Sequence, residues 1–171
     1  MSSMNDKLNE IMSMAGQFTF SEITKRQFSV NIKSSGLLSV LGLLRQKGFT
    51  HLSLITGIDR LNDEKFEVVY TLFCWESGET ILVSTLVDRK TPVLPTIMEM
   101  WPVARFYERD VHEFFGIVFD GNPDLKPLIL EKWSEIPPMR KDFDPHKYSK
   151  EHFPDRKYSA DFLPEGGGED E

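Results

Sequence analysis

A chain of 171 residues, 40% hydrophobic and 27% charged, is long enough for one domain with a real core and too apolar to be disordered throughout. Its formal net charge of -7 argues against a general nucleic-acid binder, because neutralising phosphates takes clustered lysine and arginine. Its one cysteine, Cys74, excludes an internal disulfide and a four-thiolate iron–sulfur cluster, and favours a reducing compartment.

The first residues lack the charged-then-apolar pattern of a secretory signal. The most apolar run, Gly36 to Leu44, is far shorter than the ~20 residues that cross a bilayer, so a soluble chain without its own membrane span is expected. Asn5 can cap a short amphipathic helix in which Leu8, Ile11, Met12 and Ala15 repeat at helical spacing. Phe28, Val30 and Ile32 alternate with Ser29 and Asn31, the period of a half-buried strand. Ser34 or Ser35 then starts a helix whose wide stripe of Leu37, Leu38, Val40, Leu41, Leu43 and Leu44 implies central burial, until Gly48 ends it.

Leu52, Leu54, Ile55 and Ile58 make a strand expected to break near Gly57-Ile58-Asp59-Arg60, with a turn at Asn62-Asp63-Glu64. Phe66 to Trp75 is rich in β-branched and aromatic residues, and a turn at Glu76-Ser77-Gly78-Glu79 returns the chain as a partner strand from Thr80 to Val87. Asp88 to Pro95 is expected to be a loop, and Thr96 to Met100 a short helix.

A longer helix follows, with Pro102 suited to its first turn, where the missing amide would have no partner. Val103, Phe106, Tyr107 and Phe114 suggest its buried face, and Arg105, Glu108, Arg109 and His112 its polar one. Gly116 can stop it in a left-handed conformation, Ile117-Val118-Phe119 extends, and Asp120-Gly121-Asn122-Pro123-Asp124 is dense in turn residues. Beyond Leu130 five prolines, Pro137, Pro138, Pro145, Pro154 and Pro164, interrupt every candidate element. Trp133, Phe143, Tyr148, Phe153, Tyr158 and Phe162 are nevertheless too aromatic for a solvated linker, which suggests an arm lying along another protein. The final Glu165 to Glu171 reads as disordered.

His112-Glu113 has two of the parts of a zinc hydrolase helix, but the second histidine such a helix needs would fall at Gly116. His51, His146 and His152 stand apart, so no metal site is expected. Glu108 and Arg109 point in different directions on a helix; Arg105 with Glu108, or Arg109 with Glu113, are better spaced for ion pairs. Arg140-Lys141 lacks a phosphate-cradling glycine loop, since Gly166 to Gly168 lie in an acidic stretch without the required Lys-Ser/Thr. No nucleophile with a base beside it is seen, and no catalytic residue is assigned.

Pro102-Val103-Ala104-Arg105-Phe106-Tyr107-Glu108-Arg109-Asp110, then Phe115-Gly116-Ile117-Val118-Phe119, then Gly121-Asn122-Pro123-Asp124-Leu125, resembles the signature of the hydrophilic C-type (30 kDa-like) subunit of respiratory complex I (NADH dehydrogenase) and of the related subunit of membrane-bound nickel–iron hydrogenases. Pro138-Met139-Arg140-Lys141-Asp142-Phe143 is similar to a second block of that family, in the right order. The resemblance implies a structural or partner-docking role for Glu108, Arg109, Asp110, Phe115, Gly116, Phe119, Gly121, Pro123, Asp124, Leu125, Arg140, Lys141, Asp142 and Phe143, with Glu108 and Arg109 fixing the helix to the Asn122-Pro123-Asp124 loop or to a neighbour. It further implies a subunit without a redox centre, peripheral on the cytoplasmic side of the cell membrane. Its implied partners are a hydrogenase-like large subunit, an iron–sulfur small subunit and membrane antiporter-like subunits, which would carry the iron–sulfur clusters and any nickel–iron centre. Asn122, Lys126, Pro127, His112-Glu113 and Glu135-Ile136-Pro137 depart from the common pattern and favour the hydrogenase or ferredoxin-linked branch over the quinone-reducing one.

The expected architecture is thus an α+β, two-layer domain over residues 1–130, with helices on one face of a small mixed β-sheet. An extended Pro-rich C-terminal arm follows over 131–171. The expected function is that of an accessory, cofactor-free subunit of an ion-translocating redox complex. The alternatives are a small metal-dependent hydrolase using His112 and Glu113, or a free-standing adaptor.

Overall fold

The computed structural model describes residues 18–130, 133 and 136–154. The expected helix around Leu8 to Ala15 and the acidic end of the chain lie outside these. Strands β1 (Phe18–Thr24) and β2 (Gln27–Lys33) form a hairpin, and a single 3₁₀ turn, Ser34–Gly36, leads into helix α1 (Leu37–Gln46). Strands β3 (His51–Arg60), β4 (Lys65–Cys74) and β5 (Glu79–Asp88) form an antiparallel meander. The five strands lie in the order β1-β2-β5-β4-β3, with β2 and β5 parallel and the other pairs antiparallel, so the sheet is mixed as expected. The parallel pair follows from the crossover through α1, because parallel neighbours need a long connection.

One sheet face carries Val30, Ile55, Phe66, Tyr70, Leu72, Ile81 and Val83, all nearly inaccessible to solvent. Leu37, Val40, Leu41 and Leu44 of α1 pack into the same core. Each such aliphatic or aromatic side chain contributes roughly 1.5–3 kcal/mol by leaving water. The other sheet face is more polar and open, with Leu54 and Leu86 exposed and the Ser84 hydroxyl donating to the Asn31 carboxamide oxygen.

Beyond β5 come β6 (Val93–Pro95), helix α2 (Ala104–Phe115) and β7 (Val118–Asp120); β6 and β7 pair in parallel as a separate small ladder. Helix α3 (Pro145–His152) lies in the arm.

Several expectations need correction. β1 went unread although Phe18 and Phe20 alternate with Thr19 and Ser21, and its Phe20 ring stacks on Phe28 at 5.9 Å. β3 does not break at Gly57: it pairs with β4 through Arg60, and Gly57 is small because the Phe115 ring occupies the space a Cβ would need, 2.8 Å from it. Thr96 to Met100 is a turn in which the Met100 and Trp101 amides donate to the Ile97 carbonyl, not a helix. The Asp88–Pro95 loop contains β6. The largest correction concerns α2: its buried residues are Ala104, Glu108, Val111, Glu113 and Phe115, while Val103 and Phe106 are exposed. Tyr107 and Phe114 do pack against the core and Arg105 is exposed as expected, but Glu108 lies on the buried side and Val103 and Phe106 do not, because the pattern assigns glutamate to water. The chain instead buries two glutamates by supplying each with donors.

Candidate docking site and anchor of the C-terminal arm

Helix α2 positions most of the polar groups of the signature. It ends where Gly116 adopts φ 76° and its amide donates to the His112 carbonyl at 2.7 Å, the stop that the sequence implied. Glu108 is completely buried. It accepts from the Thr96 hydroxyl at 2.6 Å, the Ile97 amide at 2.8 Å and the Asn122 side-chain amide at 2.8 Å. One carboxylate therefore joins the turn before α2, the helix itself and the loop after β7. Hydrogen bonds to an ionised group are roughly twice as strong as neutral ones.

Arg109 turns to the other side of the helix. Its Nε donates to the Lys126 carbonyl at 3.0 Å and one Nη to the Pro127 carbonyl at 3.1 Å, and it lies 3.5 Å from the Asp124 carboxylate. Glu113 completes the grip by accepting the consecutive amides of Leu128 (2.8 Å), Ile129 (3.0 Å) and Leu130. Burial by itself raises the Glu113 carboxyl; the three amides and Arg109 outweigh it and hold the group below the usual range. Arg109 therefore bonds the loop rather than its helical neighbours, and Glu113 spends its carboxylate on backbone. His112 Nδ1 lies 2.9 Å from the Ile117 carbonyl, which can only accept, so that nitrogen carries the hydrogen. These engagements leave the hydrolase pairing of His112 with Glu113 without geometric support, and no group of three metal-ligand side chains occurs among the described residues.

A second anchor holds the later block. Asp59, at the end of β3 and 3% exposed, pairs with Arg89 through two parallel contacts of 3.1 Å. Arg89 also donates to Asp142 at 2.7 Å, and the Lys141 amide donates to Asp59 at 2.9 Å. Arg140 donates to the Phe115 carbonyl at 2.7 Å, and the Met139 amide to the Phe114 carbonyl at 3.1 Å. The Arg140 and Arg89 guanidinium groups sit 5.1 and 5.5 Å from the Phe66 ring centroid, within cation–π range. Burial tends to raise Asp59, but Arg89 and the Lys141 amide prevail and keep it below the usual carboxylate range; Asp59 and Asp142 push Arg89 upward in turn. Gly116 is required here for a second reason, since a Cβ on it would lie 2.6 Å from an Arg140 nitrogen.

The remaining signature residues divide by role. Phe115 and Phe119 are core, Phe115 meeting Phe66 edge-on at 6.1 Å. Gly121 supplies the left-handed turn (φ 89°) that leads to Asn122, Pro123 is exposed, and Leu125 packs on the core edge. Phe143 joins an aromatic group in the arm, 5.4 Å from Trp133 and 5.7 Å from Tyr148. α3 arises within the stretch expected to be extended because Asp144 caps it, accepting the His146 and Lys147 amides, with Pro145 in its first turn. Asp110 is half-buried and makes no hydrogen bond or ion pair with any described residue. The anchoring role of Asp59, Arg89 and Glu113 is not legible in the sequence, because Glu113 binds backbone amides 15 to 17 residues on and the partners of Asp59 and Arg89 lie 30 to 82 residues away.

Fold and site together define a small α+β domain in which Glu113 and Arg109 hold the segment leading to the C-terminal arm and Asp59 with Arg89 holds the arm itself. The chain belongs to the family of the respiratory-chain NADH dehydrogenase 30 kDa subunit, whose model matches residues 30–149. It is 32% identical over 139 residues to the mitochondrial NADH-ubiquinone oxidoreductase 30.4 kDa subunit of Neurospora crassa, covering 79% of this chain and 49% of that protein. The chain spans about half the length of the curated relatives it matches. A chain of the membrane-bound sulfane sulfur reductase, an archaeal respiratory membrane complex, superposes with a TM-score of 0.82 at 27% identity, covering 92% of this chain and 96% of that one. The trypsin-resistant fragment of Nqo5 superposes at 0.61 with 30% identity, covering 69% of this chain and 96% of the fragment. Among the described residues no helix is long and apolar enough to cross a membrane.

Proposed function

We propose that this chain is an accessory subunit in the cytoplasmic arm of a membrane-bound, ion-translocating redox complex of the complex I or membrane-bound hydrogenase kind. It holds no redox centre and braces a hydrogenase-like large subunit beside an iron–sulfur small subunit, with antiporter-like subunits in the membrane. The clusters, and a nickel–iron centre where there is one, belong to those partners. One observation carries the reading: the polar groups of the signature hold the chain's own C-terminal segment in place rather than opening onto a cleft. The family, the neighbour from an archaeal respiratory membrane complex, and a single buried cysteine unable to ligate a cluster support it.

The test is recovery of a tagged chain from its native membranes in mild detergent, with a parallel chain truncated after Leu130. Recovery of a hydrogenase-like large subunit and membrane subunits with the full chain, and their loss with the truncated one, is the expected result. Recovery of the full chain alone from the soluble fraction would overturn the reading.

A further inference from the structure

The outer side of α2 presents a row that the fold leaves uncovered. Val103, just ahead of the helix in helical conformation, and Phe106, Asp110 and Phe114 follow one another at three- and four-residue steps, which places them in line along one face. Val103 and Phe106 are 41% and 45% exposed, and Phe114 is half-buried. Beside the row, the Glu113 carboxylate grips the Leu128 and Ile129 amides, leaving these two side chains 44% and 62% exposed. The result is a row of apolar side chains around the Asp110 carboxylate, with the Arg105 guanidinium over the Phe106 ring at 4.9 Å on one flank and Phe114 reaching the core on the other. That carboxylate pairs with no cation among the described residues, whereas the neighbouring acids Glu113 and Asp124 both have partners. Burial among its neighbours, with the Glu113 charge adding to it, raises the Asp110 carboxyl above the usual range.

We propose that this face docks onto a protein subunit that presents one arginine or lysine within an apolar surface, the cation meeting Asp110 and the apolar rim meeting Phe106 and Ile129. The proposal rests on the reading of the chain as a complex subunit and names the surface, separate from the arm, through which the domain itself is held. Charge complementarity selects this occupant. A negatively charged lipid surface would meet the unpaired Asp110 carboxylate at the centre of the row, the one acid here, among the described residues, that neither Arg109 nor the loop amides engage. A second copy across a two-fold axis through this face would bring two Asp110 carboxylates together. A partner cation removes the penalty of covering the carboxylate, and a mismatched charge inside such an interface is expelled.

The experiment uses the full tagged chain in its native membranes, with wild type, Asp110→Lys, Asp110→Glu and Phe106→Glu compared, and a photo-crosslinking benzoylphenylalanine placed at position 106. Asp110→Lys and Phe106→Glu are expected to lower recovery of one partner subunit by at least about tenfold, with Asp110→Glu retaining it. The photo-adduct is expected on that same subunit. The melting temperature of purified Phe106→Glu should stay at the wild-type value, because Phe106 is exposed, so its lost recovery reports the interface rather than the fold. Undiminished recovery in Asp110→Lys and Phe106→Glu, or an adduct only with lipid or a second copy, overturns this inference and leaves the complex-subunit reading standing. A wild-type chain that recovers no partner sinks both.

Discussion

Glu108 and Glu113 show how a helix can bury two acids in a domain of ordinary composition. Each carboxylate faces three donors, all six within 3.0 Å, so neither group is buried without compensation. A hydropathy pattern cannot show this, because the donors come from Thr96, Asn122 and backbone amides that no periodicity marks. Tyr70 is the contrary case: its hydroxyl is buried without a partner among the described residues, and burial drives its ionisation far above the usual tyrosine range. Asp59 and Glu113 are both held below the usual range, so the unfolded chain binds their protons more readily than the folded one. Their stabilisation is complete above the unfolded values of about 4 and is lost as pH falls through the lower folded values. Asp110, shifted upward, opposes this, but Asp88 and Asp144, held down by backbone amides, add to Asp59 and Glu113, so it is one group against four among the described residues. The urea midpoint should therefore be level between pH 7 and 5 and decline below about 4, less steeply in Glu113→Gln. A midpoint that rises as the solution is acidified from 5 to 3 would contradict the assignment.

Among elements, the strands of the meander and helix α1 were legible because their information is local: alternation in Phe28 to Ile32, β-branched density in Phe66 to Trp75, a leucine stripe ahead of Gly48. The helix, stop, strand and turn of the signature were legible for the same reason, since Pro102, Gly116 and Gly121 act on their own backbone. The face of α2 was not, and neither was β6, whose three residues form a strand only because Val118–Asp120 comes back beside them. β3 ran on through a glycine that looked like a breaker. Its role is to admit a ring, so Gly57→Ala should cost about 1–3 kcal/mol, in the range of an overpacked core. Thermal melting of the purified protein measures it, and an unchanged melting temperature would show that Phe115 moves aside freely.

At the scale of the whole molecule, the two-layer domain was foreseeable from alternating strand and helix patterns, while the path of the arm was not. Arg89 sits in what looked like a featureless loop, yet it joins Asp59 of the sheet to Asp142 of the arm, contacts separated by 30 and 53 residues. Removing it leaves two carboxylates facing each other across an empty position, one of them buried. Arg89→Met should therefore free the block from Met139 to Phe143 while the sheet stays folded, seen as faster amide exchange and earlier protease cleavage there than in β4 or β5. Equal protection of the arm in variant and wild type would show that Arg140 and the backbone contacts hold it alone.

The amide of Lys141 reaches back across 82 residues to Asp59. During synthesis the strand end that bears Asp59 leaves the ribosome long before its ligand exists, and at roughly 5–20 residues per second the gap lasts several seconds. Within that interval Arg89 emerges and can engage Asp59, while the backbone amide that also binds this carboxylate is still to come. The arm can therefore take up its fixed course only after residues 139–142 have been made. A chain ending between residues 131 and 138 would keep every strand of the sheet and the helix packed on it, but would lack the backbone groups that aim the tail.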